Sequence, residues 1–567
     1  MAGSAMMTTV ASSRATPEPS TIGSSTQRPA APSSRRSGDG PVRACSAGHG
    51  NHCGSLGVGV AMTTTVAGRV DVGFRSERGP VLIALMLSTA LVALDATIIA
   101  TAVPSVVRDL GGFSQFPWLF STYLLAQAVS VPIYGKLADA VGRKPVILAG
   151  IAMFLVGSVL CGFAWSLPAL IAFRAVQGLG AGAVQPIALT MVGDMYSLEE
   201  RSRVQGYLAS VWGIASVVGP TLGGVFSEYV SWRWIFFVNI PIGALAAWML
   251  VRRFHESVER RRHTVDYTGA ALLTLGCSLV ILALLEGGQA WAWTSAPGVL
   301  VPLAGAVLLG VFVLVEQRAV EPVLPLWVLT RRVLLGGSLV SLCVGAILIG
   351  LSSYVPTYVQ GVLGTGPLTA GFALAALTVG WPIAAALSGR VYLRIGFRDT
   401  ALIGTAVVVA GSVGALWLGR DTSVGWVAAS CFVIGIGMGL TASPTLVAVQ
   451  SVVGWQERGV VTSTNLFARS IGSAVGVAIF GAIANATLSQ RLSDAPSALR
   501  STVPDGADAA AAVLGAGDGH SPAVMSLVRA ALSDATHLVF VALLVTALLM
   551  VTALLLMPRR TTTPADD

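Results

Sequence analysis

The chain has 567 residues, of which 54% are hydrophobic and 11% charged, with a mean hydropathy of +0.76. Soluble proteins carry roughly 25% charged residues, so this balance excludes an ordinary soluble domain. The formal charge of +8 does not argue for a nucleic-acid partner, because the arginines fall in short loops between apolar runs, where they set membrane orientation.

Residues 1–78 are rich in Ser, Thr, Ala, Pro and Gly. Such a segment cannot bury enough apolar surface to fold and is expected to be a disordered cytoplasmic arm. No apolar run long enough for a signal peptide precedes the first span. Cys45, His49, His52 and Cys53 have metal-ligating side chains, but in a low-complexity tail the spacing reads as coincidence and no metal is expected.

Apolar runs of about 20 residues follow, each long enough to cross a bilayer as a helix that closes its own backbone hydrogen bonds. Six centre on Val81 to Val103, Pro117 to Tyr134, Val146 to Phe163, Leu167 to Leu189, Val204 to Phe226 and Trp234 to Val251. Two more lie at Thr268 to Leu285 and Gly298 to Val315. The last six centre on Val333 to Tyr354, Leu368 to Leu387, Ala401 to Leu418, Val424 to Leu440, Val461 to Ala484 and His537 to Met557. This all-α reading gives a six-helix bundle over 79–253, an inserted pair over 264–318 and a second six-helix bundle over 331–557. The second bundle carries a long outer loop at 487–535, and 558–567 form a tail. Arg252, Arg253, Arg260, Arg261 and Arg262 follow the sixth helix, and Arg331 and Arg332 precede the ninth. That basic excess on one side predicts that both termini are cytoplasmic. Cys161, Cys277, Cys343 and Cys431 fall in apolar runs and are expected to pack as small hydrophobes without disulfides.

Between the second and third runs stands Gly135-Lys136-Leu137-Ala138-Asp139-Ala140-Val141-Gly142-Arg143-Lys144-Pro145, read as a short cytoplasmic loop. Its glycines permit a tight turn, and Asp139 can meet a helix N-terminus or a nearby cation. The pattern G-x-L-x-D-x-x-G-R-K resembles the loop between helices 2 and 3 of the major facilitator superfamily. The resemblance implies a cytoplasmic gate made by Gly135, Asp139, Gly142, Arg143 and Lys144. The family motif often has Arg where Ala140 stands, a departure expected to weaken the gate. A second copy, Gly389 to Arg398, repeats the glycines and basic positions but has Leu393 in place of Asp139, and Glu200-Arg201 is echoed by Glu457-Arg458. Duplicated halves of this kind place substrate between them near the midplane.

Three stretches within spans carry the remaining signal. Asp95 is the one carboxylate among apolar residues in the first span. A charge at that depth is a functional candidate by default, although a packing Asp that never titrates is the alternative. In the fourth span, Arg174-Ala175-Val176-Gln177-Gly178-Leu179-Gly180 resembles the superfamily's helix-four motif, whose Arg is tied to proton coupling; a structural Arg bonded to carbonyls is the alternative. At 1.5 Å per residue, Asp95 lies roughly 12 Å and Arg174 roughly 10 Å from the outer ends of their helices, so the two can sit at one level. In the fifth span, Gly213, Gly219, Pro220, Gly223 and Gly224 form a small-residue string, with room for a close neighbour and a kink at Pro220. It resembles the antiporter motif of exporters in the superfamily.

With Trp232-Arg233-Trp234 and Pro322-Val323-Leu324-Pro325-Leu326, these stretches resemble the fourteen-helix drug:proton antiporter (EmrB/QacA-like) branch over about residues 80–560. The branch implies a monomeric plasma-membrane exporter of drugs or other amphipathic small molecules. Its energy source would be the proton gradient, without a bound cofactor. No Walker pattern is present. The alternatives are an exporter dedicated to one metabolite, lipid or self-made antibiotic, and a non-transporting scaffold or sensor. Arg469, in the thirteenth span with Asn465 one turn before it, is expected to snorkel or to bond a neighbouring helix.

Overall fold

In the computed structural model the described residues are 73–110, 118–256, 266–287, 291–319, 322–494 and 522–559. The predicted arm up to residue 72, with Cys45, His49, His52 and Cys53, lies outside them, as do 495–521 of the predicted outer loop and the tail from 560.

Every regular element among the described residues is a helix. The first bundle holds α1 (Gly79–Leu110), α2 (Trp118–Val141), α3 (Arg143–Gly162), α4 (Leu167–Met195), α5 (Leu198–Val225), α6 (Trp234–Phe237) and α7 (Asn239–Arg253). The inserted pair is α8 (Tyr267–Glu286) and α9 (Ala296–Glu316). The short α10 (Trp327–Thr330) leads to α11 (Arg332–Gly361), α12 (Pro367–Ile395), α13 (Phe397–Leu416), α14 (Val424–Ser451), α15 (Arg458–Ser493) and α16 (Pro522–Leu556). Among the described residues, 12 helices are long and apolar enough to cross a membrane. Alongside them pack α2 and the shorter apolar stretch Thr268–Leu284 of α8.

Local chemistry fixes the helix starts. Ser166, Asp266 and Ser295 each accept an amide of the first turn through a side-chain oxygen, and Ser197 and Glu200 form a capping box at α5. Two separate apolar cores then define the halves. One gathers Leu82, Leu85, Ile147, Phe154, Ile187 and Met191, the other Val340, Ile347, Tyr358, Met438, Phe540 and Leu543. The inserted pair bridges them: Leu273, Cys277 and Ile281 of α8 pack with Ala128 and Val129 of α2 and Ala474 of α15. Cys161, Cys277, Cys343 and Cys431 are free and buried.

Three boundaries differ from expectation. The predicted loop at Gly135–Pro145 shrinks to one residue: α2 continues to Val141 and α3 begins at Arg143, because Gly142 turns the chain with φ 103°, a conformation that disfavours a side chain. The sixth span is split into α6 and α7 at Val238, ahead of Pro241, whose ring has no amide for a helical bond. The outer loop at 487–535 is shorter at both ends, since α15 runs to Ser493 and α16 starts at Pro522. Leu488 and Leu492 pack on Val524, Val528, Ala531 and Ala535, and Arg491 pairs with Asp534 at 3.0 Å. These spacings keep one apolar stripe in contact beyond the membrane-length core.

Candidate functional site

Asp95 and Arg174 form an ion pair, with Nη1 2.6 Å from Oδ2. Both side chains are enclosed, at 2% and 1% exposure, so each charge depends wholly on the other and on nearby dipoles. Arg174 Nη1 also donates to Gln177 Oε1 at 2.8 Å, and its guanidinium lies over the Tyr123 ring, 4.0 Å from the centroid. Gln177 Nε2 donates to Asp95 Oδ1 and to Ser158 Oγ, each at 2.8 Å. Asn239, at the start of α7, reaches Asp95 Oδ1 and Ser158 Oγ at 3.3 Å. The network thus draws on α1, α2, α3, α4 and α7. Gln177 stood inside a motif string without a role, while Tyr123 and Ser158 carried no signal in the sequence.

The second cluster lies at the end of the bundle that carries Gly142, and it joins the two halves. Asp139 accepts the amides of Gly459 at 2.9 Å and Val460 at 2.7 Å, two of the unpaired donors at the start of α15. Arg143 Nη2 pairs with Asp139 at 2.8 Å and its Nε with Asp194 at 2.9 Å. The same guanidinium stacks on Trp455 at 3.8 Å. Asp194 accepts in turn from Arg458 Nη1 at 2.6 Å. Ala140 adds no charge, and Arg143 and Arg458 close the network without it.

Lys144 is not part of this latch. Its Nζ donates to Val251 O at 3.0 Å and to Phe254 O, because successive residues of a helix point about 100° apart and only Arg143 faces the seam. Glu256 accepts the amides of Arg143 and Lys144 at 2.8 and 2.9 Å, a cap on α3 that nothing in the sequence announced.

Gly135 faces the Ser463 hydroxyl, with the Gly459 carbonyl 2.9 Å from where a Cβ would stand. The repeat preserves this contact: Gly389 faces the Ser202 hydroxyl, and Gly396 turns the chain with φ 90° as Gly142 does. Where Asp139 meets the start of α15, however, Leu393 offers no carboxylate to α5. Tyr392 donates to Leu198 O there instead, and α5 caps itself.

The small residues of α5 serve two neighbours rather than one. Gly213 lies against Thr378 O of α12, and Ser216 Oγ is 3.4 Å from Thr378 Oγ1. Gly219 lies against Thr97 and Ile98 of α1. Gly223 is buried. Gly224 admits no close neighbour, since nothing lies within 4 Å of its Cβ position, just before α5 loosens into a π-helical turn at Phe226–Val230. The backbone stays helical through Pro220, whose side chain lies outside the described residues.

Asp139→Asn is expected to slow turnover roughly 10-fold or more while substrate binding changes little, because lost hydrogen bonds to a charged group are worth about 1.5–3 kcal/mol and lie far from the Asp95 network. Binding titrations and vesicle flux check this. A sharp fall in binding with unchanged turnover would remove the latch role.

Residues 85–477 match the family model for the Major Facilitator Superfamily. The chain is 35% identical to Multidrug resistance protein 3 of Bacillus subtilis over 449 residues, covering 79% of this chain and 86% of the relative. It is 33% identical to the Multidrug transporter protein MdtP of the same organism over 424 residues, 74% of this chain and 78% of the relative. The human organic anion transporter MFSD10 has a similar fold, with a TM-score of 0.54 at 15% identity, over 83% of this chain and 99% of that one. Two helical bundles joined at one end, the family match along most of the chain and relatives at this identity together establish that the chain belongs to the major facilitator superfamily and is a membrane transporter rather than an enzyme.

Proposed function

We propose that this transporter exports drugs or other amphipathic small molecules across the plasma membrane in exchange for protons. The enclosed Asp95–Arg174 pair carries the reading. A proton arriving from outside neutralises Asp95 and releases Arg174 from its counter-charge. The network then rearranges, because a buried guanidinium cannot stay unpaired without cost. Rocking of the halves changes which face is open, and loss of the proton to the cytoplasm restores the pair. The end bearing Gly142 is the cytoplasmic one, in line with the basic excess there, so the Asp139 latch holds the outward-open state and both termini lie inside. The proton gradient is the energy source, with no bound cofactor, and a monomer suffices. The names of the two bacillary relatives support multidrug export.

The test is purified protein in liposomes containing a pH-sensitive dye. Addition of ethidium or another exported compound should move protons in the opposite direction. Substrate flux with no proton counter-flux, and no response to an imposed pH gradient, would overturn the antiport reading.

A further inference from the structure

Asp95, Arg174 and Arg469 are formally charged side chains well inside the described spans. The first two neutralise each other. The Arg469 side chain has no hydrogen-bond or ion-pair partner among the described residues, and no carboxylate there stands near enough to balance it. The sequence suggested snorkelling or a bond to a neighbouring helix, and neither is found.

Its position rules out the first. Arg469 is eleven residues into α15 from Arg458, roughly 16 Å along the axis, farther than its side chain can reach. Asp139 meets Gly459 and Gly135 meets Ser463, so equal steps along α2 and α15 bring Arg469 level with Val129. Tyr123, under the Arg174 guanidinium, is about 9 Å farther from the latch.

Arg469 also sits on an inner face. Its carbonyl abuts Gly345 of α11, Asn465 one turn earlier donates to Gly337 O and accepts from Ser341, and Ser473 one turn later donates to Gly345 O. The opposite face of α15, with Phe467, Ile471 and Ala474, packs toward α2 and α8. The guanidinium is not sealed off: the residue is half-buried, and its nitrogens are not among the enclosed unpaired atoms that include Arg201 Nη1 and Arg398 Nε.

We propose that Arg469 receives the charge of the substrate, and that the transported molecules include amphipathic organic anions, with a carboxylate or phenolate carried on an apolar body. A lone cation at mid-bundle is costly in a membrane protein unless it is paired or wetted. The carboxylates of the described spans are committed to the Asp95 network or the latch, lie near helix ends, or, like Asp534, pair with another arginine. The described residues supply no counter-charge, and the inference assigns it to the transported molecule. A guanidinium fits a planar carboxylate with two parallel hydrogen bonds, and the apolar body finds apolar helix faces around it.

The inference rests on the export reading, and the experiment separates the two. Full-length protein in liposomes is assayed for binding and flux of carboxyfluorescein, an organic anion, and ethidium, an organic cation. Arg469→Gln should weaken carboxyfluorescein binding roughly 10- to 100-fold, the range for a lost charge-assisted hydrogen bond, and leave ethidium flux unchanged or higher. Arg469→Lys, which keeps the charge but not the fork, should restore part of the anion binding. The undiminished ethidium flux shows that the variants fold. Wild-type protein that moves ethidium but not carboxyfluorescein, or Arg469→Gln protein that binds carboxyfluorescein normally, overturns the role of Arg469 and leaves export standing. Wild-type protein that moves neither probe overturns both.

Discussion

Uphill efflux disappears in Asp95→Asn. The amide nearly matches the carboxylate in size and still accepts from Gln177 Nε2, so the helices keep their packing and the protein inserts and purifies normally. Two things are lost. The amide cannot take up a proton, and it cannot balance Arg174, which is 1% exposed. Removing one member of a buried ion pair costs about 3–5 kcal/mol, and roughly each 1.4 kcal/mol shifts an equilibrium tenfold. A penalty of that size, borne unequally by the two access states, holds the transporter in whichever state better solvates the guanidinium. Efflux driven by a pH gradient should fall at least 100-fold, to background, while exchange of labelled for unlabelled substrate survives in part. Proton release on substrate addition should vanish as well. Full uphill transport by Asp95→Asn in vesicles would make this pair a structural brace.

Nearly as large an effect follows from Gly135→Val. A Cβ at this position collides with the Ser463 hydroxyl and stands 2.9 Å from the Gly459 carbonyl, and a branched side chain adds two methyl groups at the seam between halves. Overpacking of this kind costs about 1–3 kcal/mol. The cost applies only when α2 and α15 are in contact, so it acts on the conformational equilibrium rather than on folding. Closure at this end should weaken roughly 5- to 150-fold, with resistance lost and cellular protein level unchanged. A cysteine pair placed across α2 and α15 should cross-link more slowly in the variant. Adding Ser463→Gly removes the first colliding atom and should restore part of the activity, while the Gly459 backbone limits the rescue. Normal cross-linking and normal efflux in Gly135→Val would show that the seam tolerates bulk.

The amino-acid order made the large features readable because a bilayer enforces them. Apolar runs, basic excess on one side and glycine-marked turns gave the helices and the two halves. The shared level of Asp95 and Arg174 followed from helix rise alone. What stayed hidden depended on how helices face one another. Tyr123 and Ser158 are ordinary residues until α2 and α3 turn one toward Arg174 and the other toward Gln177. Glu256 caps α3 from 112 residues away. Lys144 stood beside Arg143 in the motif, yet one helical step sends it to the carbonyls of α7. Gly224 followed Gly223 in the string but faces open space. The extended ends of α15 and α16 went unread because Ala- and Ser-rich flanks masked a short apolar stripe.

The latch, finally, divides its charges unevenly. Asp139, Arg143 and Asp194 belong to the first half, and Arg458 to the second. Together they balance; drawn apart, they leave an excess negative charge on one half and a positive charge on the other. Opening therefore works against an electrostatic restoring force, whereas among the described residues no ion pair crosses the matching seam through Gly389 and Tyr392. Mobile ions weaken attraction beyond about 8 Å at physiological ionic strength, so the force fades as the halves move past that separation. Among the described residues the charged spring runs along that edge, and salt on that face sets how stiff the spring is.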